Sequence, residues 1–171
     1  MKPTTVLLVI LAFVAAACLA IALAGPARLW ALFGNPDLGP VAFETLQRRP
    51  TPNDALACPP NTCAAPADIT SPVFALTAKD LRRAFSRVVV SEDRIGNVAV
   101  NEATLEDRYV QRSRLMGFPD TINVKFVDLP GGRSSILIYS RSQLGRSDLG
   151  VNRARIERLL EKLRREVPPI T

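Results

Sequence analysis

Residues 4–24 carry no charged side chain, and a run this long and this apolar has few ways to fold in water. About twenty apolar residues in a helix match the hydrocarbon thickness of a bilayer. The run is therefore expected to cross a membrane, with Lys2 before it and Gly25-Pro26 ending it. Arg28 and Trp30 follow, side chains that favour the membrane–water interface. A cleaved signal peptide is the competing reading, but the run is longer than a typical signal core. Ala16 and Ala17 before Cys18 resemble a lipoprotein cleavage site, yet residues 19–23 stay apolar where a polar tether would be needed. An uncleaved single-pass anchor, residues 1–28, is the expectation. Lys2 and the amino terminus favour a cytoplasmic N-terminus, while Arg28 pulls weakly the other way.

The cysteines bear on the compartment. Cys58 and Cys63 bracket Pro59-Pro60-Asn61-Thr62, a loop stiffened by two prolines. A disulfide there would place the domain in an oxidising space. Metal ligation and two free thiols are the other readings, although two cysteines supply too few ligands for structural zinc. The expected location is the inner membrane of a Gram-negative envelope, with the C-terminal domain in the periplasm.

Residues 25–72 read as a tether, because Pro26, Pro36, Pro40, Pro50, Pro52, Pro59, Pro60, Pro66 and Pro72 oppose regular structure. A short helix over residues 41–47 is the one exception considered. The domain boundaries expected are therefore an anchor at 1–28, a Pro-rich tether at 29–72 holding the cysteine loop, and a folded domain at 73–171.

Within that domain Thr77 and Asp80 form a capping signal, and Leu81, Ala84, Phe85 and Val88 follow at helical spacing. This predicts a helix over residues 78–88. Val98 and Val100, then residues 108–112, read as strands. Ile122, Val124 and Phe126 alternate with polar residues, and Pro130-Gly131-Gly132 turns the chain into a hairpin of residues 121–129 with 133–144. Ile156, Leu159, Leu160, Leu163 and Val167 make one stripe of a final helix over residues 151–167, stopped by Pro168-Pro169. Glu161 with Arg165 and Lys162 with Glu166 stand at the i,i+4 spacing of surface ion pairs. The fold class expected is α+β: a two-layer sandwich of a short antiparallel sheet and two amphipathic helices behind a transmembrane helix.

Composition narrows the chemistry. The chain has a net charge of +6 and no histidine. The basic balance favours anionic partners such as lipid headgroups. Nucleic acid is not expected, since aromatics are few and no basic run is longer than residues 162–165. The missing histidine removes the commonest general base and zinc ligand. No phosphate loop, nucleophile elbow or metal-ligand spacing is present, so no catalytic residue, metal or cofactor is assigned and an enzyme is not expected.

The densest polar cluster runs from Ser140 to Ile156. If a helix starts near Gly150, its free amides carry the positive end of the dipole and Asp148 can cap them. Two readings then stand. In one, Arg146, Arg153 and Arg155 pair with Asp120, Asp148 or carbonyls and the cluster is structural. In the other, Arg141, Arg146, Ser147, Asn152 and Arg153 form an anion pocket at the helix start. Residues 109–114 read either as a strand with one solvated face leading into a loop anchored by Phe118, which is favoured, or as an extension of that basic surface through Arg112 and Arg114, which would share a strand face.

Asn61 beside Cys58 and Cys63, Phe118-Pro119-Asp120, Ser140-Arg141-Ser142 and the stretch from Gly145 to Ile156 resemble the family called domain of unknown function 1499, over roughly residues 57–163. Many members carry a longer cysteine loop ending in Asn-Cys, whereas here Thr62 separates Asn61 from Cys63. The resemblance implies a bacterial-envelope or plastid location behind a signal or anchor, and a shared fold; it implies no activity. The functions expected are an interaction or accessory module of the envelope, bound to a protein partner, or a binding domain for an anionic small ligand or lipid headgroup.

Overall fold

The computed structural model describes residues 3–24, 30 and 32–170. Helix α1 (Pro3–Ala24) has a mean hydropathy of 2.4 over Pro3–Ala20, with none of that stretch buried by the rest of the chain. It is long and apolar enough to cross a membrane. The expected Gly25-Pro26 stop and Arg28 lie outside the described residues.

The folded part is α+β. Its strands are β1 (Asp54–Cys58), β2 (Ile69–Thr70), β3 (Val73–Phe74), β4 (Ile95–Asn101), β5 (Glu106–Arg112), β6 (Pro119–Leu129) and β7 (Arg133–Ser142). Helix α2 (Ala78–Val90) stands between β3 and β4, and helix α3 (Val151–Glu166) follows β7. The seven strands form one sheet in the order β2-β1-β7-β6-β5-β4, with β3 added to β7 beside β1. The pair β1–β2 is parallel and the others are antiparallel.

Local sequence explains the elements. Thr77 Oγ1 accepts the Asp80 amide at 3.2 Å and starts α2 as the capping signal predicts. The helix runs past Val88 to Val90 because Val89 is also buried. Gly131 and Gly132 both take positive φ, which lets the β6–β7 hairpin close tightly. One face of the sheet presents Tyr109, Ile122, Val124, Phe126, Ile136 and Ile138 to the apolar stripes of α2 and α3, led by Leu81, Phe85, Ile156, Leu159 and Leu160. Each of these larger side chains contributes about 1.5–3 kcal/mol by leaving water.

Two expectations are corrected. The sheet is neither short nor wholly antiparallel, since β1, β2 and β3 join it from the stretch read as tether. That stretch is part of the domain from Pro36 onward. Phe43 and Leu46 pack on Leu56, Cys58, Leu137 and Tyr139, covering the sheet face that the helices leave bare. Thr121 Oγ1 donates to the Pro36 carbonyl at 3.1 Å and accepts the Leu38 amide at 3.0 Å. Arg108 pairs with Asp37 at 2.7 Å. Residues 43–45 form a turn in a stretch otherwise without regular structure, instead of the helix considered over 41–47. The physical reason is that proline keeps this chain extended, so its carbonyls are free for side chains on the sheet.

Cys58 and Cys63 form a disulfide with their Cα atoms 6.3 Å apart, and Cys18 on α1 is free. The Glu161–Arg165 surface pair is present. Lys162 turns instead to Glu92 at 2.7 Å, and Glu166 takes Arg87 at 2.6 Å, because α2 lies against α3.

Glu92 is a clamp between the helices, 2.9 Å from Arg158 and held by Lys162 and Gln111. Burial works against its charge, but the hydrogen bonds and positive charges around it prevail and bring its pKa from 4.5 to about 2. A carboxylate depressed on folding adds stability that is complete above its ordinary pKa and lost as pH falls towards the folded value. Thermal unfolding between pH 5 and pH 2 should therefore show a steeper acid loss in the native chain than in Glu92→Gln. Equal slopes would remove Glu92 from the account.

Candidate functional site

The first turn of α3 meets the ends of β6 and β7, and the polar cluster lies there. Asp148 caps the helix from two residues before Gly150. Its Oδ1 accepts the Gly150 amide at 3.0 Å and its Oδ2 accepts the Asn152 amide at 2.7 Å. The positive end of the helix is thus occupied by a carboxylate of the chain itself. An added anion would meet that charge before it met the amides.

Behind the cap the polar side chains satisfy one another. Arg155 is 3 % exposed. It donates to Asp120 Oδ2 at 2.5 Å, Gln111 Oε1 at 2.6 Å, Asn152 Oδ1 at 2.5 Å and Ser140 Oγ at 2.9 Å. Asn152, wholly buried, also reaches Ser142 Oγ at 2.9 Å and the Asn53 carbonyl at 3.1 Å. Asp120, Ser140 and Ser142 share the helix-side face because they alternate along β6 and β7. This arrangement knits β5, β6, β7, α3 and the residue that leads into β1 together.

The five residues expected to converge on an anion do not. Arg141 points to the other side of the sheet, where it donates to the Leu38 and Gly39 carbonyls, each at 2.9 Å. Its guanidinium lies 5.6 Å from the centre of the Tyr139 ring, and burial pushes its pKa down. Asn152 is committed to the buried network. Arg153 is exposed and pairs with Glu157 at 3.0 Å. Arg146 and Ser147 are exposed on the loop before α3. Period-two alternation along β7 is enough to separate Arg141 from the rest. Arg112 ends β5 and donates to the Gly117 carbonyl, and Arg114 lies beyond the strand, so the shared strand face expected for them is not formed.

What the loops do form is a cleft of about 350 Å³. Phe118, Leu144, Leu149 and Val151 supply its apolar walls, while Asp120, Ser142 and Asp148 sit at its floor. Trp30 closes on one wall: its ring centre is 4.3 Å from that of Phe118, and its Nε1 donates to the Met116 carbonyl at 2.5 Å. A second cleft of about 250 Å³ lies under Pro40 and Phe43 against β4, β5 and β6. Among the described residues no group of three or more cysteine, aspartate or glutamate side chains is placed to hold a metal.

Sequence reasoning missed the cleft walls. Leu149 between Asp148 and Gly150 was the available signal: a bulky apolar residue where a turn needs none. It also missed the Arg48 anchor on the opposite face, which binds Asp54 at 2.6 Å and Asp68 at 2.9 Å while the Tyr139 hydroxyl donates to Asp54 at 2.5 Å. Burial and that carboxylate together push the Tyr139 pKa up.

No curated protein matches the chain. The buried network and the cleft floor fall within residues 43–163, the stretch matched by the model of the family described as "Protein of unknown function (DUF1499)", and the chain belongs to that family.

Proposed function

We propose that this is a single-pass inner-membrane protein whose α+β domain stands in the periplasm, catalyses no reaction, and binds the apolar part of an amphipathic molecule in the cleft at the start of α3. The observation that carries the reading is the cleft itself: four apolar walls over a floor whose polar groups already bond within the protein. Such a site rewards burial of hydrocarbon and offers little to a free anion. The Cys58–Cys63 bond supports an oxidising compartment, and the length of α1 supports retention in the membrane. Asp120 is held in an ion pair and Asp148 in a helix cap, which leaves neither free for proton transfer at the cleft.

Native mass spectrometry of the full chain, gently extracted from its own membrane, tests this. The expected result is an added mass of a few hundred daltons, lost in Ser147→Phe, which fills the cleft from an exposed position on its lining. A bare chain in both would contradict ligand binding. A stoichiometric protein companion in place of a small molecule would instead support an accessory module of an envelope complex.

A further inference from the structure

The geometry points to the pole around the cleft as a membrane-docking surface: Leu115, Met116 and Leu149 enter the interfacial layer of the bilayer that α1 crosses, with Arg114 and Arg146 beside them at headgroup level. This rests on the reading of α1 as a retained span and is independent of what the cleft binds.

Two loops make the surface, residues 113–118 between β5 and β6 and residues 143–150 between β7 and α3. Leu115 is 88 % exposed and Leu149 94 %. Leu149 also holds a φ of 54°, a left-handed conformation that costs a leucine energy. The fold keeps a large apolar side chain in water there without any packing return. Leu32 and Phe33 lie exposed on the same pole, where the Gln143 side chain donates to the Asn35 carbonyl at 2.8 Å. Grouped exposed apolar side chains of this kind mark a surface that is covered in use.

The chain itself says what covers it. Trp30 is fixed to Phe118 and Met116, and it follows the last residue of α1, Ala24, by six positions. Six residues span at most ~20 Å. If α1 crosses a bilayer, loop 113–118 cannot stand farther than that from the end of the helix. Exposed Arg114 and Arg146 complement anionic headgroups, and Trp30 is the residue type that settles at the interface. The opposite pole, the β6–β7 hairpin with Arg133, lies ~30 Å away along β6. A lipid surface is therefore the occupant, ahead of a protein that would have to enter the same narrow space.

The test uses the full chain with Cys18→Ser, which removes the free thiol, while Cys58 and Cys63 are bonded to each other and unreactive. Single cysteines are introduced as Leu115→Cys, Leu149→Cys or Arg133→Cys and labelled with a nitrobenzoxadiazole fluorophore. The proteins are reconstituted in phosphatidylethanolamine–phosphatidylglycerol vesicles with and without doxyl-labelled lipid. Quenching at positions 115 and 149 should exceed that at 133 several-fold, and Arg114→Glu with Arg146→Glu should reduce it. Quenching equal at all three positions, in chains that resist alkaline carbonate extraction, would overturn the docking while leaving the anchor and the ligand reading in place. Release by carbonate would overturn the anchor and this inference together; loss of bound mass in the native spectrum would touch neither.

Discussion

Replacing Arg155 with methionine lowers the stability of the folded domain by about 3–5 kcal/mol, the usual cost of removing one partner from a buried ion pair. Methionine keeps much of the volume but none of the donors. Asp120, 4 % exposed, is then left without the cation 2.5 Å away, and Gln111, Ser140 and Asn152 lose a shared donor. Denaturant unfolding of the full chain in detergent measures the loss. The double variant Arg155→Met with Asp120→Asn should cost less than the sum of the two single changes, because the second removes the stranded charge. Additive costs, or a loss below about 1 kcal/mol for Arg155→Met, would mean that the network does not hold the fold.

Phe43→Ala should be almost as damaging, by about 3–5 kcal/mol. Phe43 is 1 % exposed and packs on Leu56, Leu137 and Tyr139. In a free tether the same change would cost nothing, so the measurement separates a strap bound to the sheet from a linker beside it. Thermal unfolding is the simplest readout, with a fall of roughly 10 °C expected for a chain of this size. An unchanged midpoint would return residues 36–50 to the role of linker.

The contrast between those two regions shows what the sequence could and could not convey. Both amphipathic helices were legible because their apolar residues recur at helical spacing, and Thr77 marked where the first begins. The β6–β7 hairpin was legible from strict alternation and its glycine turn. Strand β1 was not. Its Ala-Leu-Ala-Cys pattern sets small residues against the helices, and it sits among prolines that argue against strands. Its partner Arg141 lies far along the chain from Asp54, a pairing that local pattern cannot reveal. For the same reason residues 36–50 read as loose chain: their order comes from Thr121, Arg108 and Arg141 on other strands.

The site was half legible. Asp148, two residues before Gly150, announced a helix cap, and of the pairings considered for Arg146, Arg153 and Arg155 with Asp120, Asp148 or carbonyls, that of Arg155 with Asp120 is formed. The anion pocket looked attractive because arginines adjacent in sequence look adjacent in space. Alternation along β7 sends Arg141 to the far face, and α3 turns Arg153 towards Glu157. The cleft takes its walls from two separate segments, Phe118 and residues 144–151, with Trp30 packed on Phe118, and no one-dimensional motif joins them.

If the cleft takes the apolar part of an amphipathic molecule, as proposed, the chain carries its own reporter. Trp30 is the only tryptophan, and it stacks on Phe118 in the cleft wall. The decisive measurement is the quenching of Trp30 fluorescence by a brominated fatty acid titrated into the full chain in detergent, compared with Ser147→Phe. Saturable quenching is expected in the native chain, and in the filled variant only the gradual loss that follows from partition into the micelle. Identical, unsaturable quenching in both would contradict it.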